Sequence, residues 1–132
     1  MIVIAFILTF VSKPVSAGEA TLTAVGDLDR LSIGQTGYCG ERVEADSQSW
    51  QRIVLKGEGQ VWIFASSRYR LPGRDRICRI ERTFIPASGA AYILRVTHSP
   101  GDCNVELFRA ASGADPVRER LLKPEAQVCA LQ

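Results

Sequence analysis

From residue 18 onward the chain alternates apolar and polar positions in short runs, broken about every eight to twelve residues by clusters of Gly, Pro, Asp or Ser. That rhythm predicts antiparallel strands closing into a sandwich or barrel. Strands are expected near residues 20–25, 30–33, 51–56, 60–66, 77–85, 91–98 and 103–109. The strand at 77–85 puts Cys78, Ile80 and Phe84 on one face with Arg82, and Arg79, Glu81 and Thr83 on the other. Strand 91–98 alternates Tyr92, Leu94 and Val96 against Ile93, Arg95 and Thr97, and strand 103–109 does the same with Cys103, Val105 and Leu107 inward. Strand 60–66 is apolar on both faces, which predicts a central position or a face covered by a partner. The link Gly57-Glu58 predicts a tight hairpin joining 51–56 to 60–66.

No long helix fits the pattern. The best helical candidate is 115–122, with Asp115 as N-cap and Pro116 at the first helical position, and Pro124 limits it to two turns. The expected fold is therefore an all-β, Ig-like or fibronectin-like antiparallel β-sandwich of about seven strands with at most one short C-terminal helix.

Residues 2–11 break the alternation, being apolar except for Thr9. Ten helical residues span about 15 Å, half of the roughly 30 Å hydrocarbon core, so the run is too short for a membrane span. It suits the apolar region of a signal peptide. Pro14 ends the run, and Val15-Ser16-Ala17 places small residues at the cleavage positions. Residues 1–17 are thus read as a cleavable leader, and 18–132 as a single domain with no membrane insertion after cleavage. No Lys or Arg precedes the apolar run, so either the α-amino charge serves alone or the true start lies upstream.

Composition then narrows the function. The chain carries 16 Lys and Arg against 14 Asp and Glu. Removing Lys13 with the leader leaves 15 basic groups, about +1, which offers no electrostatic footprint for nucleic acid or acidic membranes. Cys39, Cys78, Cys103 and Cys129 are even in number and widely spaced, and none lies in the leader. In an exported chain that predicts two disulfides rather than a zinc or redox site. Four cysteines allow three pairings; the one favoured is Cys39–Cys78 with Cys103–Cys129, each stabilising by roughly 3–4 kcal/mol in the chain-entropy picture. A periplasmic or secreted location follows.

The most patterned stretch runs from Phe84 to Val96. Pro86 closes one strand, Gly89 supplies the positive φ of a corner, and Tyr92 opens the next strand with its hydroxyl placed to reach a loop carbonyl. This resembles the tyrosine corner of Ig-like sandwiches. The Phe-x-Pro-x-x-Gly-x-x-Tyr pattern, with Tyr38-Cys39-Gly40 upstream and Cys103-Asn104-Val105 downstream, also resembles small exported bacterial proteins over roughly residues 34–110. The resemblance implies a β-sandwich outside the cytoplasm and carries no activity.

Candidate chemistry is sparse. His98 is the single histidine and precedes a Ser-Pro-Gly-Asp turn. Asp27 and Asp29 read as a turn rather than a calcium site. No phosphate loop, nucleophile elbow or His-Glu-x-x-His motif occurs, so neither a catalytic residue nor a metal or other cofactor is expected. The liveliest segment is 66–76, read as a polar connection. Residues 68–82 hold six Arg against Asp75 and Glu81. Arg68, Tyr69, Arg70, Arg74 and Arg76 are the candidate binding residues, because Arg and Tyr dominate interface hot spots. The expected function is a non-catalytic exported module that recognises a protein, of inhibitor or immunity type. The alternative is an envelope or glycan-binding module using Trp50 and Trp62 as platforms, and a small hydrolase comes last.

Overall fold

The computed structural model describes residues 17–99, 102–110 and 114–130. Of the expected leader, residues 1–16 lie outside them. Nine strands form among the described residues: β1 (Glu19–Gly26), β2 (Arg30–Gly34), β3 (Arg42–Ala45), β4 (Ile53–Lys56), β5 (Val61–Leu71), β6 (Arg74–Phe84), β7 (Ala91–Ser99), β8 (Asp102–Ala110) and β9 (Val117–Glu119). A single 3-10 turn spans Ser49–Gln51. The strands make two sheets, β4-β1-β7-β8-β9 and β3-β2-β5-β6, packed as a β-sandwich.

All seven expected strands are present, and their inward rows build the core. Leu22, Leu31, Leu55, Val61, Ile63, Leu94, Val96 and Leu107 are essentially sealed from water. Burying each such side chain stabilises the fold by about 1.5–3 kcal/mol, against at most about 1 kcal/mol for a surface ion pair. The core therefore decides the fold and the charges decorate it.

Four expectations need correction. First, Gly57-Glu58 is no hairpin: β4 pairs with β1 while β5 pairs with β2 and β6 in the opposite sheet. The crossing is held elsewhere, by the Gly57 N–H on Gly18 O (2.7 Å) and the Glu58 N–H on Pro86 O (2.6 Å), with Glu58 at φ 65°. Second, the sandwich is not wholly antiparallel. β1 and β7 run parallel, and the long stretch between them supplies the crossover such a pair requires.

Third, 115–122 forms no helix. Val117–Glu119 instead pairs with the edge of β8, because two isolated turns hold poorly in water while a strand satisfies that open edge. Fourth, the cysteines pair as Cys39–Cys129 and Cys78–Cys103, not as Cys39–Cys78 and Cys103–Cys129. The favoured pairing fails because β6 and β8 belong to different sheets that face each other across the core. That brings Cys78 and Cys103 to a Cα separation of 6.1 Å, whereas Cys39 sits after β2, on the far side of β5 from β6.

The corner forms. Gly89 has φ 79°, Pro86 is buried, and the Tyr92 ring packs edge-on against Phe84 at 5.2 Å. The Tyr92 hydroxyl meets a loop amide rather than a carbonyl: it accepts from the Ala87 N–H at 2.8 Å. Tyr92→Phe keeps the ring and orphans that N–H, so urea denaturation is expected to show a loss of about 1–2 kcal/mol with an unchanged slope. An undiminished midpoint would show that the hydroxyl does not hold the corner.

Candidate functional site

β5 and β6 outrun their neighbours. β2 follows β5 only to the pair Arg30↔Ser66, whereas β5 and β6 stay paired without a bulge to Leu71↔Arg74. The segment read as a polar connection is therefore a two-stranded ribbon continuing the four-stranded sheet. Pro72 and Gly73 (φ 80°) turn it, the residue types a type II turn selects at its two central positions.

The ribbon sorts the candidate binding residues onto two faces. Arg68 beside Ile77 and Arg70 beside Asp75 continue the outer face of the sheet. Tyr69 beside Arg76 and Leu71 beside Arg74 lie on the other face. Arg70 Nε lies 3.4 Å from Asp75 Oδ1 with both groups largely in solvent, so the pair contributes at most about 1 kcal/mol. Arg68, Arg74 and Arg76 are exposed and make no ion pair among the described residues.

Tyr69 does not join the arginines. It is half-buried and stacks on His98 of β7, with centroids 5.4 Å apart. Asp27 Oδ2 lies 3.8 Å from His98 Nε2 and accepts the His98 backbone N–H at 3.3 Å. Just beside this stack the Cys78–Cys103 disulfide bridges β6 to β8. The base of the ribbon is thus pinned to the five-stranded sheet by one covalent bond and one aromatic contact. Asp102 turns onto its own chain, accepting from the Cys103 N–H. Asp27 is the carboxylate in contact with His98. Three or more potential metal ligands converge nowhere among those residues.

The outer face behind the ribbon adds Arg30 and Arg42, which the sequence did not single out, to residues that it did. Arg30, Arg68 and Arg79 line a groove with Ser66, and Arg42 closes the adjoining one. The Arg42 guanidinium sits 3.5 Å from the Phe64 ring centroid, with Tyr38 edge-on to the same ring at 5.6 Å. The Tyr38 hydroxyl donates to Glu81 (2.9 Å), which pushes its pKa up. Trp62 is half-buried in this row of β5. Trp50 is half-buried too, packs against the core and donates to Ala45 O. The sequence signal for Arg30 and Arg42 was weak, because their approach to Phe64 and Ser66 depends on pairing across β2, β3 and β5.

On the opposite sheet Glu106, 16% exposed, accepts from Arg95 at 2.7 Å and lies 3.9 Å from Arg118. The Arg95 hydrogen bond holds its carboxyl below the usual glutamate range. The stabilisation this gives is complete above the unfolded pKa of about 4.3 and is lost as pH falls through the lower folded value. Glu106→Gln is therefore expected to lower Tm at neutral pH, with the gap from wild type closing in acid. A gap independent of pH, measured by thermal scans, would contradict this.

Compared with known proteins, the chain matches no family model, no curated protein and no solved structure. Two disulfides are what chains maturing in an oxidising compartment carry, and no helix among the described residues is long and apolar enough to cross a membrane.

Proposed function

We propose that this chain is a periplasmic or secreted, non-catalytic binding module that recognises a protein partner through the β5–β6 ribbon, in the manner of an inhibitor or immunity protein. The observation that supports the reading is the set of exposed, unpaired arginines, Arg68, Arg74 and Arg76, on a ribbon whose base is clamped to the sandwich. Guanidinium groups are weakly hydrated, so they give up little on binding, and they offer planar, bidentate contacts to carboxylates. The clamp lowers the ordering cost of binding, since a two-stranded ribbon alone is marginal in water. The Phe64 and Trp62 row beside Arg30 and Arg79 favours one alternative, an anionic glycan laid along the outer face.

The test is capture from a periplasmic extract, with the bound protein identified by mass spectrometry and its affinity measured. Reversing Arg68, Arg70, Arg74 and Arg76 to Glu is expected to weaken binding about hundredfold or more while leaving the unfolding midpoint near wild type. Binding that survives the reversal would overturn the reading. Binding lost instead on Trp62→Ala, and competed by a soluble anionic glycan, would transfer it to the outer face.

A further inference from the structure

One edge of the four-stranded sheet is left open where the arginines are densest. The Thr83 N–H and C=O both bond to Leu122, at 2.8 and 3.0 Å, so the backbone groups of Thr83 point away from β5 toward the sheet's free edge. Strand geometry repeats every two residues, and the β5–β6 register is unbroken. The backbone groups of Asp75, Ile77, Arg79 and Glu81 therefore point to the same edge. The Glu81 carbonyl is occupied by the Arg82 guanidinium at 2.8 Å. Those of Ile77 and Arg79 have no backbone partner among the described residues.

The chain's own tail begins to fill this edge and stops. Leu122 takes the first rung antiparallel to Thr83, and the next rung, opposite Glu81, falls to residue 124. That residue is Pro124, which has no N–H to donate. A second copy paired antiparallel about Ile77 would match Asp75 with Arg79 but leave Arg74 and Arg76 opposite Ile80 and Cys78, with no carboxylate to meet them.

We infer that the free edge of β6, from Asp75 to Glu81, receives an extended acidic segment of a partner protein as an added strand. The inference rests on the arginine ribbon being the recognition element and names how it is used. Main-chain bonds at Ile77 and Arg79 would supply affinity independent of sequence, and side chains would supply selection. On the outer face Arg79 stands between Asp75, which is met by Arg70, and Glu81, which accepts from Tyr38; with Arg74 and Arg76 on the other face it favours acidic neighbours at the middle of the incoming strand. Ile77, 51% exposed, favours an apolar one. The same charges that blunt the edge against self-pairing thus choose its occupant.

The probe is an acetylated, amidated peptide of alternating Glu and Val, about eight residues long to match a typical strand, titrated into the intact domain. It is compared with the same peptide N-methylated at alternate residues, in both phases, which keeps charge and removes ladder donors. Anisotropy is expected to show binding by the parent, and a loss of about tenfold or more in the phase whose donors face β6. Amide resonances of Ile77 and Arg79 are expected to shift and gain exchange protection, and Arg76→Glu with Arg79→Glu to abolish both effects. No binding by the parent, equal binding by every methylated form, protection confined to Arg30 and Ser66, or pairing of a second copy or of the tail at the edge would each overturn strand addition. The ribbon's role in recognition would still stand if the fourfold Arg→Glu reversal abolished capture of the natural partner, so the two failures are distinguishable.

Discussion

The covalent bond between Cys78 and Cys103 is the contact on which the arrangement of the ribbon depends. It joins the last rung of the core-covering part of β6 to the start of β8, and so links the two sheets at the point where one outruns the other. Beyond that point β5 and β6 have each other and the Tyr69–His98 stack, and no third strand among the described residues. A hairpin of that size has little independent stability. With its base fixed, the ribbon can present Arg68, Arg74 and Arg76 in a defined geometry although their charges repel and none makes an ion pair among the described residues.

This arrangement also separates the residues that hold the fold from those that the proposed recognition would use. The interior rows, from Leu22 to Leu107, need no polar help. The arginines of β6 sit where a sheet edge would otherwise be sticky, which is where natural sheets place charge to prevent aggregation. Arginines outnumber carboxylates along β6, so an edge they protect from aggregation still favours a strand of the opposite sign. On the proposed reading, protection and recognition come from the same residues.

Much of this could be read from the sequence, and the limits follow from physics. Alternation identified seven strands and their inward faces because each buries one face over several residues, and the Phe84–Tyr92 corner was legible because Pro86 and Gly89 act locally. β3 was silent: in Arg42–Ala45 its one sizeable apolar residue, Val43, is 64% exposed, so no inward row exists to detect. β9 was silent because three exposed or half-exposed residues pair only to cover an edge. The disulfide pairing and the Gly57-Glu58 crossing were misread for a shared reason, since both depend on which sheet a strand joins. The arginines of the site were legible by their density. Their division between two faces, the removal of Tyr69 to His98 and the contribution of Arg30 and Arg42 came only with the register.

The central claim is that the inter-sheet disulfide holds the β5–β6 ribbon in place. Native-state hydrogen exchange of Cys78→Ala with Cys103→Ala tests it most directly, set beside the wild-type domain. Closing a loop of 25 residues predicts a global loss of about 3–4 kcal/mol. The account further predicts that the Tyr69 and Arg76 amides, which bond across the ribbon, lose protection under conditions where Ile63 and Leu94 in the core remain protected. Ribbon amides that keep wild-type protection in the double variant would contradict it.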